Sequence, residues 1–521
     1  MNESHAARNF NPGAAPDTNF LDRRVALSTG LSLLVAAAGL LPLLGHKALA
    51  DWDEGIYAGI AKSLALRPTL TLYWNFQPWF EKPPLYMWLT AACFRLFAVN
   101  EFWARAVAAL SGVAIVGIIH DLIARVRGVA AAWVSTVVLL TTLGFVRACH
   151  LGEVDTLLTL GCCLALWGVA RVRGSIVDGC AARGWFLFWL GFAVAAMTKG
   201  AAAVVIPLTV VVLLVWERWP LRVFGRRFWC GLLLFLVLVL PWHVAMYHEY
   251  GAAFLREYLG EQAIARATTQ LEQHNNPPWF FLEMLLGFAS PWVFVFLATA
   301  WSGRRRREWR EFTVFALVVF ALFTVSQTRL PRYIVPMYPA MALVAADGIW
   351  LWVSGSSKKA WRSWLVVGVA AVASFALAAV LTRGLRERLT SRSTTSVVVH
   401  ADKSFLPLLR AEAGEPVADP ILLCDDSGRM ELPAALFYTG RRVQQVWLLQ
   451  KPDESGRVRR YFDPRPLGEF VKENPTSQTR DVGHPHLLLI RKELLAELPA
   501  SMRFTELTAD GDLVIGTVVR R

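Results

Sequence analysis

Charge is scarce in this sequence. Asp, Glu, Lys and Arg make up only 18% of the 521 residues, against 55% hydrophobic ones. With a mean hydropathy of +0.41, too little polar surface remains for a soluble multidomain enzyme or a disordered scaffold. Acid is scarcer than base, 40 residues against 53. In a membrane protein such a basic excess collects in cytoplasmic loops and calls for no nucleic acid. Cysteine is sparse as well: of the seven, at 93, 149, 162, 163, 180, 230 and 424, only Cys424 stands in the polar tail. Neither a disulfide framework nor a Cys-rich zinc site can be built from them. A Gly-rich phosphate loop is also missing from the charged segments between apolar runs, which argues against a nucleotide-bound substrate.

Long apolar runs are what the sequence has in plenty. Eleven, near 25–45, 103–121, 129–146, 155–170, 185–198, 200–216, 228–243, 279–300, 312–327, 333–352 and 364–381, read as helices crossing a ~30 Å hydrocarbon core. A shorter apolar stretch at 84–97 carries Arg95, and loop charge decides its place. If it lies flat, Arg23, Arg24, Arg125, Arg127, Arg171, Arg173, Arg218, Arg222, Arg226 and Arg227 share one side with Arg304 to Arg307, Lys358 and Lys359. That side is then cytoplasmic. If it crosses, the loop of Arg125 and all later loops contradict the N-terminus, so 84–97 is expected to be juxtamembrane. The predicted fold class is a polytopic α-helical membrane protein, with 1–24 cytoplasmic, 25–383 membrane-embedded and 384–521 a small extracytoplasmic α/β domain. In the tail, β-rich runs at 396–399, 421–424, 443–449, 486–490 and 513–519 alternate with helix-like runs at 432–437 and 492–498, and 509–512 reads as a hairpin turn.

The outer face gathers the chemistry. Its first loop begins Asp51-Trp52-Asp53-Glu54-Gly55-Ile56-Tyr57 and closes with Glu81-Lys82-Pro83-Pro84. On a helix starting near Asp51, Asp53 and Tyr57 share a face while Glu54 points elsewhere and should tolerate substitution better. The bland alternative is a capping Asp51 and a solvated surface. Arg147, His150, Glu153 and Asp155 lie between the third and fourth runs, Lys199 in a turn between the fifth and sixth, His274 in the loop before the eighth, and Arg329 and Arg332 around Pro331. Each has an ordinary explanation alone, such as a lysine snorkelling to head groups. Together they put carboxylates, a histidine and cations at one membrane face, as handling of a lipid-linked anionic substrate requires.

The runs Asp53-Glu54-Gly55-Ile56-Tyr57-Ala58, Pro78-Trp79-Phe80-Glu81-Lys82-Pro83-Pro84 and Asn100-Glu101-Phe102-Trp103-Ala104-Arg105 resemble the opening of the bacterial lipid A aminoarabinose transferases. Those belong with the protein O-mannosyltransferases among the GT-C glycosyltransferases. Thr198-Lys199-Gly200, the segment 274–279 and the stretch from Ser326 to Pro336 extend the resemblance over residues 25 to 350. It implies transfer of a sugar from an undecaprenyl-type polyprenyl phosphate to a lipid A, glycan or protein acceptor outside the cytoplasmic membrane of a bacterium, with no nucleic acid involved. Asp53 is then the catalytic carboxylate and Asp155 an orienting one. Lys82, Lys199 and Arg329 would neutralise the donor phosphate and Tyr333 would hydrogen-bond to it, while Glu81 and His274 match positions that hold a divalent metal, zinc by their chemistry. The alternative for those two is a surface pair with Lys82 and a helix cap. Ile56 stands where the family often has Arg, and Arg329 where it usually has Lys. A transporter or flippase of polyprenyl-linked sugars is the second function in play, but it predicts charged or broken spans at the bilayer midplane.

Overall fold

A computed structural model describes residues 18–50, 52–177, 184–265, 268, 276–302, 308–354, 420–424, 433–439, 442–449, 465–473, 486–510 and 513–520. The expected span at 364–381 and strand at 396–399 lie outside these, as do Asp51, His274 and residues 304–307. Helices α1 (Thr18–Leu40) and α2 (Asp53–Leu66) are followed by a hairpin, β1 (Tyr73–Trp74) with β2 (Gln77–Pro78), and by α3 (Leu85–Leu96). Next come α4 (Glu101–Arg127), α5 (Val129–Leu140), α6 (Leu143–Cys149), α7 (Asp155–Val177), α8 (Gly184–Lys199), α9 (Val205–Glu217) and α10 (Arg226–Tyr250). The single turn α11 (Ala252–Leu255) runs into a π-helical stretch (Arg256–Ala265), and α12 (Phe280–Ala289), α13 (Trp292–Ser302), α14 (Arg310–Val325) and α15 (Met337–Ser354) complete the helical part. Among the described residues, six helical runs are long and apolar enough to cross a membrane. The number rises to eight if the bent pairs α5–α6 (72°) and α12–α13 (108°) are each one pass. The chain is a membrane protein.

Ion pairs at helix ends set the directions. Asp22, early in α1, lies 3.6 Å from Arg125, late in α4. The two helices therefore run antiparallel, and α2, the hairpin and α3 all sit on the face where α1 ends and α4 begins. The α3 segment does not cross. Gly152, just ahead of α7, donates its N–H to Glu54 of α2 at 2.7 Å, which brings the start of α7 to that same face.

The 34-residue run Gly184–Glu217 is one span by length and two by geometry. Lys199, at its middle, bonds to Asp155 at the start of α7 at 2.6 Å, and Glu217, at its end, bonds to Arg173 near the other end of α7 at 2.7 Å. The chain reverses where Lys199 leaves helical geometry (φ −151°, ψ 69°) and where a side chain at Gly200 would collide with the Tyr258 hydroxyl. Gly161 and Gly168 on α7 face Gly191 and Gly184 on α8 so closely that any added Cβ would strike the opposite backbone. Such glycine contacts let apolar helices associate by close packing where lipid removes the hydrophobic driving force. Below the reversal α8 packs on α7 and α10 while α9 packs on α14, so the two arms diverge. Arg310 of α14, 2.8 Å from Glu217, enters from the far end and carries the chain back to the first face.

The tail forms a six-stranded sheet in the order β5–β4–β3–β6–β8–β7, from β3 (Ile421–Cys424), β4 (Val443–Trp447), β5 (Arg465–Pro466), β6 (His486–Arg491), β7 (Met502–Asp510) and β8 (Leu513–Arg520). Helices α16 (Pro433–Thr439) and α17 (Leu467–Glu473) accompany it. Its β3, β4 and β6 strands are buried along both faces up to their last residues, as parallel strands require, whereas β8 joins them antiparallel. The tail docks on α2 through α16. Tyr438 accepts the Leu49 N–H at 2.8 Å and donates to Glu101 at 3.0 Å. The turn of the β1–β2 hairpin, Asn75–Phe76, has φ of 49° and 63°, the sign that a two-residue turn matching strand twist demands. Asn75 there both donates to and accepts from the Val443 backbone at 2.9 Å. Hairpin, α2 and tail thus share one face.

Candidate active site

Asp53 opens α2 directly after Trp52, whose positive φ of 75° is unusual for a residue with a side chain. The turn leaves Asp53 buried, 7% exposed, and facing Arg332, whose guanidinium meets it at 2.7 Å and reaches Glu153 at 3.5 Å. Arg332 belongs to a 3₁₀ turn, Pro331–Ile334, with proline at its favoured first position. Tyr333 of the same turn lies under the Lys199 ammonium, 5.0 Å from ring centre to nitrogen. Lys199 is held by Asp155, whose other oxygen, Oδ2, is buried with no hydrogen-bond partner among the described residues. Lys82 donates to the Gln262 side chain at 3.0 Å and to the Glu81 carbonyl at 3.1 Å, and Glu81 is itself buried.

Four carboxylates and a guanidinium at such range perturb one another. Removal from water pushes Glu153 up to about 7; Arg332 opposes this, while Asp53, Asp155 and Glu54 add to it. Burial and then the Asp53 charge hold the Tyr57 hydroxyl well above its ordinary range, so it stays protonated beneath Asp53. Burial works against the charge on Arg332, yet Asp53 and Glu153 more than compensate and keep it cationic.

Two cavities meet at Arg332. The larger, about 730 Å³, has Asp53, Glu81, Lys82, Lys199, Arg332 and Tyr333 at its head. Apolar residues of α8, α9, α10 and α14, among them Phe192, Pro207, Phe235 and Phe323, line the rest, in the gap left where α8 and α9 diverge. The smaller, about 180 Å³, is lined by Arg147, Glu153, Asp155 and Arg332. A cationic head on a long apolar groove suits a phosphate on a hydrocarbon chain.

Most residues singled out in the sequence line these cavities. Arg329 does not. Its guanidinium is spent on backbone carbonyls, those of Thr324 at 3.2 and 3.1 Å and of Asn276 at 2.8 Å, and the cation beside Asp53 is Arg332. The resemblance put the donor-phosphate role on Arg329, and the spacing around Pro331 carries no local signal that sets it apart from Arg332. The expectation that Glu54 tolerates substitution is corrected. Glu54 is 1% exposed and takes two bonds from Arg105, at 2.7 and 2.9 Å, besides the N–H groups of Ala50 and Gly152. Among the described residues no three His, Cys, Asp or Glu side chains converge as a metal set. Glu81 is one candidate ligand in place, and His274 lies outside the described residues.

The sequence pattern of the dolichyl-phosphate-mannose-protein mannosyltransferases matches residues 81–244. The undecaprenyl phosphate-alpha-4-amino-4-deoxy-L-arabinose arabinosyl transferase of Shewanella sediminis is 28% identical over 337 residues, covering 63% of this chain and 60% of that one. A Pseudomonas fluorescens enzyme of the same name is 28% identical over 336 residues, 61% of this chain and 59% of its own. The chain is similar to the aminoarabinose transferases. The match spans about 60% of the length of those curated relatives. This aminoarabinose-transferase-like chain also shares the fold of ArnT from Cupriavidus metallidurans, crystallised with undecaprenyl phosphate, which superposes with a TM-score of 0.74 at 20% identity, covering 96% of this chain and 98% of that one.

Proposed function

We propose that the chain is a membrane glycosyltransferase that moves a sugar from an undecaprenyl phosphate carrier to a lipid A, glycan or protein acceptor at the periplasmic face of the bacterial inner membrane. The observation that carries this is the junction at Arg332: a buried carboxylate, Asp53, at the head of an apolar groove whose cations are Lys82, Lys199 and Arg332. The polyprenyl chain would lie between α8 and α9, with its phosphate among those cations and Tyr333. As the bond from the anomeric carbon to the phosphate oxygen breaks, the electron pair leaves with the phosphate, whose charge the fixed cations stabilise without reorganising. Asp53 takes the proton of a hydroxyl acceptor, or orients a phosphate acceptor and offsets positive charge at the anomeric carbon. Asp155 keeps Lys199 in place. A flippase fits less well, because these charges gather at one face and not at the bilayer midplane.

The reading is tested by mass spectrometry of lipid A, glycans and secreted proteins from cells with and without the protein. One of these classes should lose a single sugar mass, and identical profiles would sink the proposal.

The positive-inside rule supports the periplasmic side, since Arg23, Arg24, Arg125 and Arg173 lie at the end opposite Asp53. Alkaline phosphatase fused after residue 385 is expected to be active, and after Arg307 inactive; the reverse pattern refutes the orientation. Zinc is a further proposal at Glu81 and His274, with water or substrate completing the set, and no step of transfer is assigned to it. Protein purified without chelator is expected to carry zinc that Glu81→Ala depletes, and elemental analysis showing none rejects it.

A further inference from the structure

Glu153 has no part in the mechanism above, yet it is built into the site. It stands in the short link ahead of α7, where its N–H bonds to the Leu151 carbonyl at 2.7 Å and the neighbouring Gly152 N–H is anchored on Glu54. This tight turn fixes its backbone and aims the side chain at Arg332. We propose that Glu153 is a positioning residue for sugar transfer, acting on Asp53 through the Arg332 guanidinium that the two carboxylates share. The inference rests on the glycosyltransferase reading.

Competition for one cation is the physical basis. Asp53 and Glu54 face Glu153 from α2, Asp155 from α7 and Arg332 from the 3₁₀ turn, while Arg147 of α6 lines the same small cavity. Glu54 already holds Arg105, and Asp155 already holds Lys199. The buried hydroxyls of Tyr57 and Tyr86, on α2 and α3, stay protonated. Among the described residues Arg332 is therefore the one cation within ion-pair range of Glu153. When Glu153 is neutral, Arg332 is left to Asp53 and holds its carboxylate toward the large cavity. When Glu153 ionises, it draws the guanidinium toward the small cavity, and Asp53 loses its guide. Burial and the neighbouring acids bring that ionisation near neutrality, within reach of a rate measurement.

The experiment follows release of undecaprenyl phosphate from undecaprenyl phosphate aminoarabinose, with purified lipid A as the acceptor probe, by the full-length protein in nanodiscs from pH 6 to 9. Wild-type kcat is expected to fall several-fold to a plateau as pH rises through about 7. Glu153→Gln, neutral at every pH, should hold the acid-side rate throughout and so exceed wild type at pH 8. Glu153→Asp should restore a pH step. An infrared difference spectrum between pH 6 and 8 should contain a protonated-carboxyl band that Glu153→Gln removes. A Gln variant that keeps the wild-type step, or loses activity equally at every pH, would overturn the positioning role. A wild type that releases no undecaprenyl phosphate from this pair, together with unchanged lipid A, glycan and secreted-protein profiles in cells lacking the protein, would overturn the glycosyltransferase reading and this inference together.

Discussion

Asp53→Asn is expected to lower sugar transfer by at least ~100-fold while leaving expression and detergent stability close to wild type. The amide keeps the shape of the carboxylate, so the turn at Trp52 and the packing over Tyr57 survive. It removes the negative charge and the basicity, the two properties that a developing positive charge or a departing proton requires. Loss of a buried ion-pair partner is usually costly because a charge is stranded. Here Arg332 still has Glu153, and its side chain is 27% exposed, so the penalty is small. The measurement is turnover of isolated donor alongside apparent Tm. Near-normal turnover removes Asp53 from the catalytic role, and a collapsed Tm with proportionate loss of activity makes it structural.

One residue along, the outcome inverts. Glu54→Ala is expected to destabilise the folded protein by about 3–5 kcal/mol, as for breaking a buried ion pair. The Arg105 guanidinium, 7% exposed at its side chain, would be left without its carboxylate. Arg105 also donates to the carbonyls of Leu44, Lys47 and Ala48, so the segment that delivers the chain from α1 to α2 loosens with it. The Ala50 and Gly152 N–H groups lose their acceptor at the same time. Apparent Tm and monodispersity in detergent should both drop, with turnover per folded molecule far less affected than in Asp53→Asn. A Glu54→Ala protein as heat-stable as wild type would mean that the clamp contributes little, and the original expectation of tolerance would stand.

Much of the site was legible because its signals are local. Glu81-Lys82-Pro83-Pro84 closes the first outer loop and Asp53 and Tyr57 sit one helical turn apart; Asp53, Glu81 and Lys82 line one cavity, and the Asp53 charge reaches the Tyr57 hydroxyl. The tail was legible for a similar reason: buried apolar runs at β3, β4, β6 and β8 and the helix at α16 carry their own periodicity. The strand β7, where exposed residues such as Arg503 and Glu506 alternate with half-buried ones, has no apolar run to announce it. It forms because β8 offers it an open edge. Glu54 was misjudged because helical phase says which way a side chain leaves its own axis, and nothing about a partner such as Arg105 arriving from another helix.

Hydropathy and loop charge by themselves determined that this is a polytopic membrane protein. They also placed its acids on one face and its Arg-rich loops on the other, and kept α3 from crossing. These properties follow from residue-by-residue transfer free energies and need no knowledge of neighbours. Only the tertiary structure decided that Arg332 and not Arg329 stands beside Asp53, that α8 and α9 part to open the groove, and that Glu153 shares the central cation. Each of those depends on contacts between segments far apart in sequence, and a pairing across a folded interior is set by which surfaces pack together, which no local period or charge count encodes.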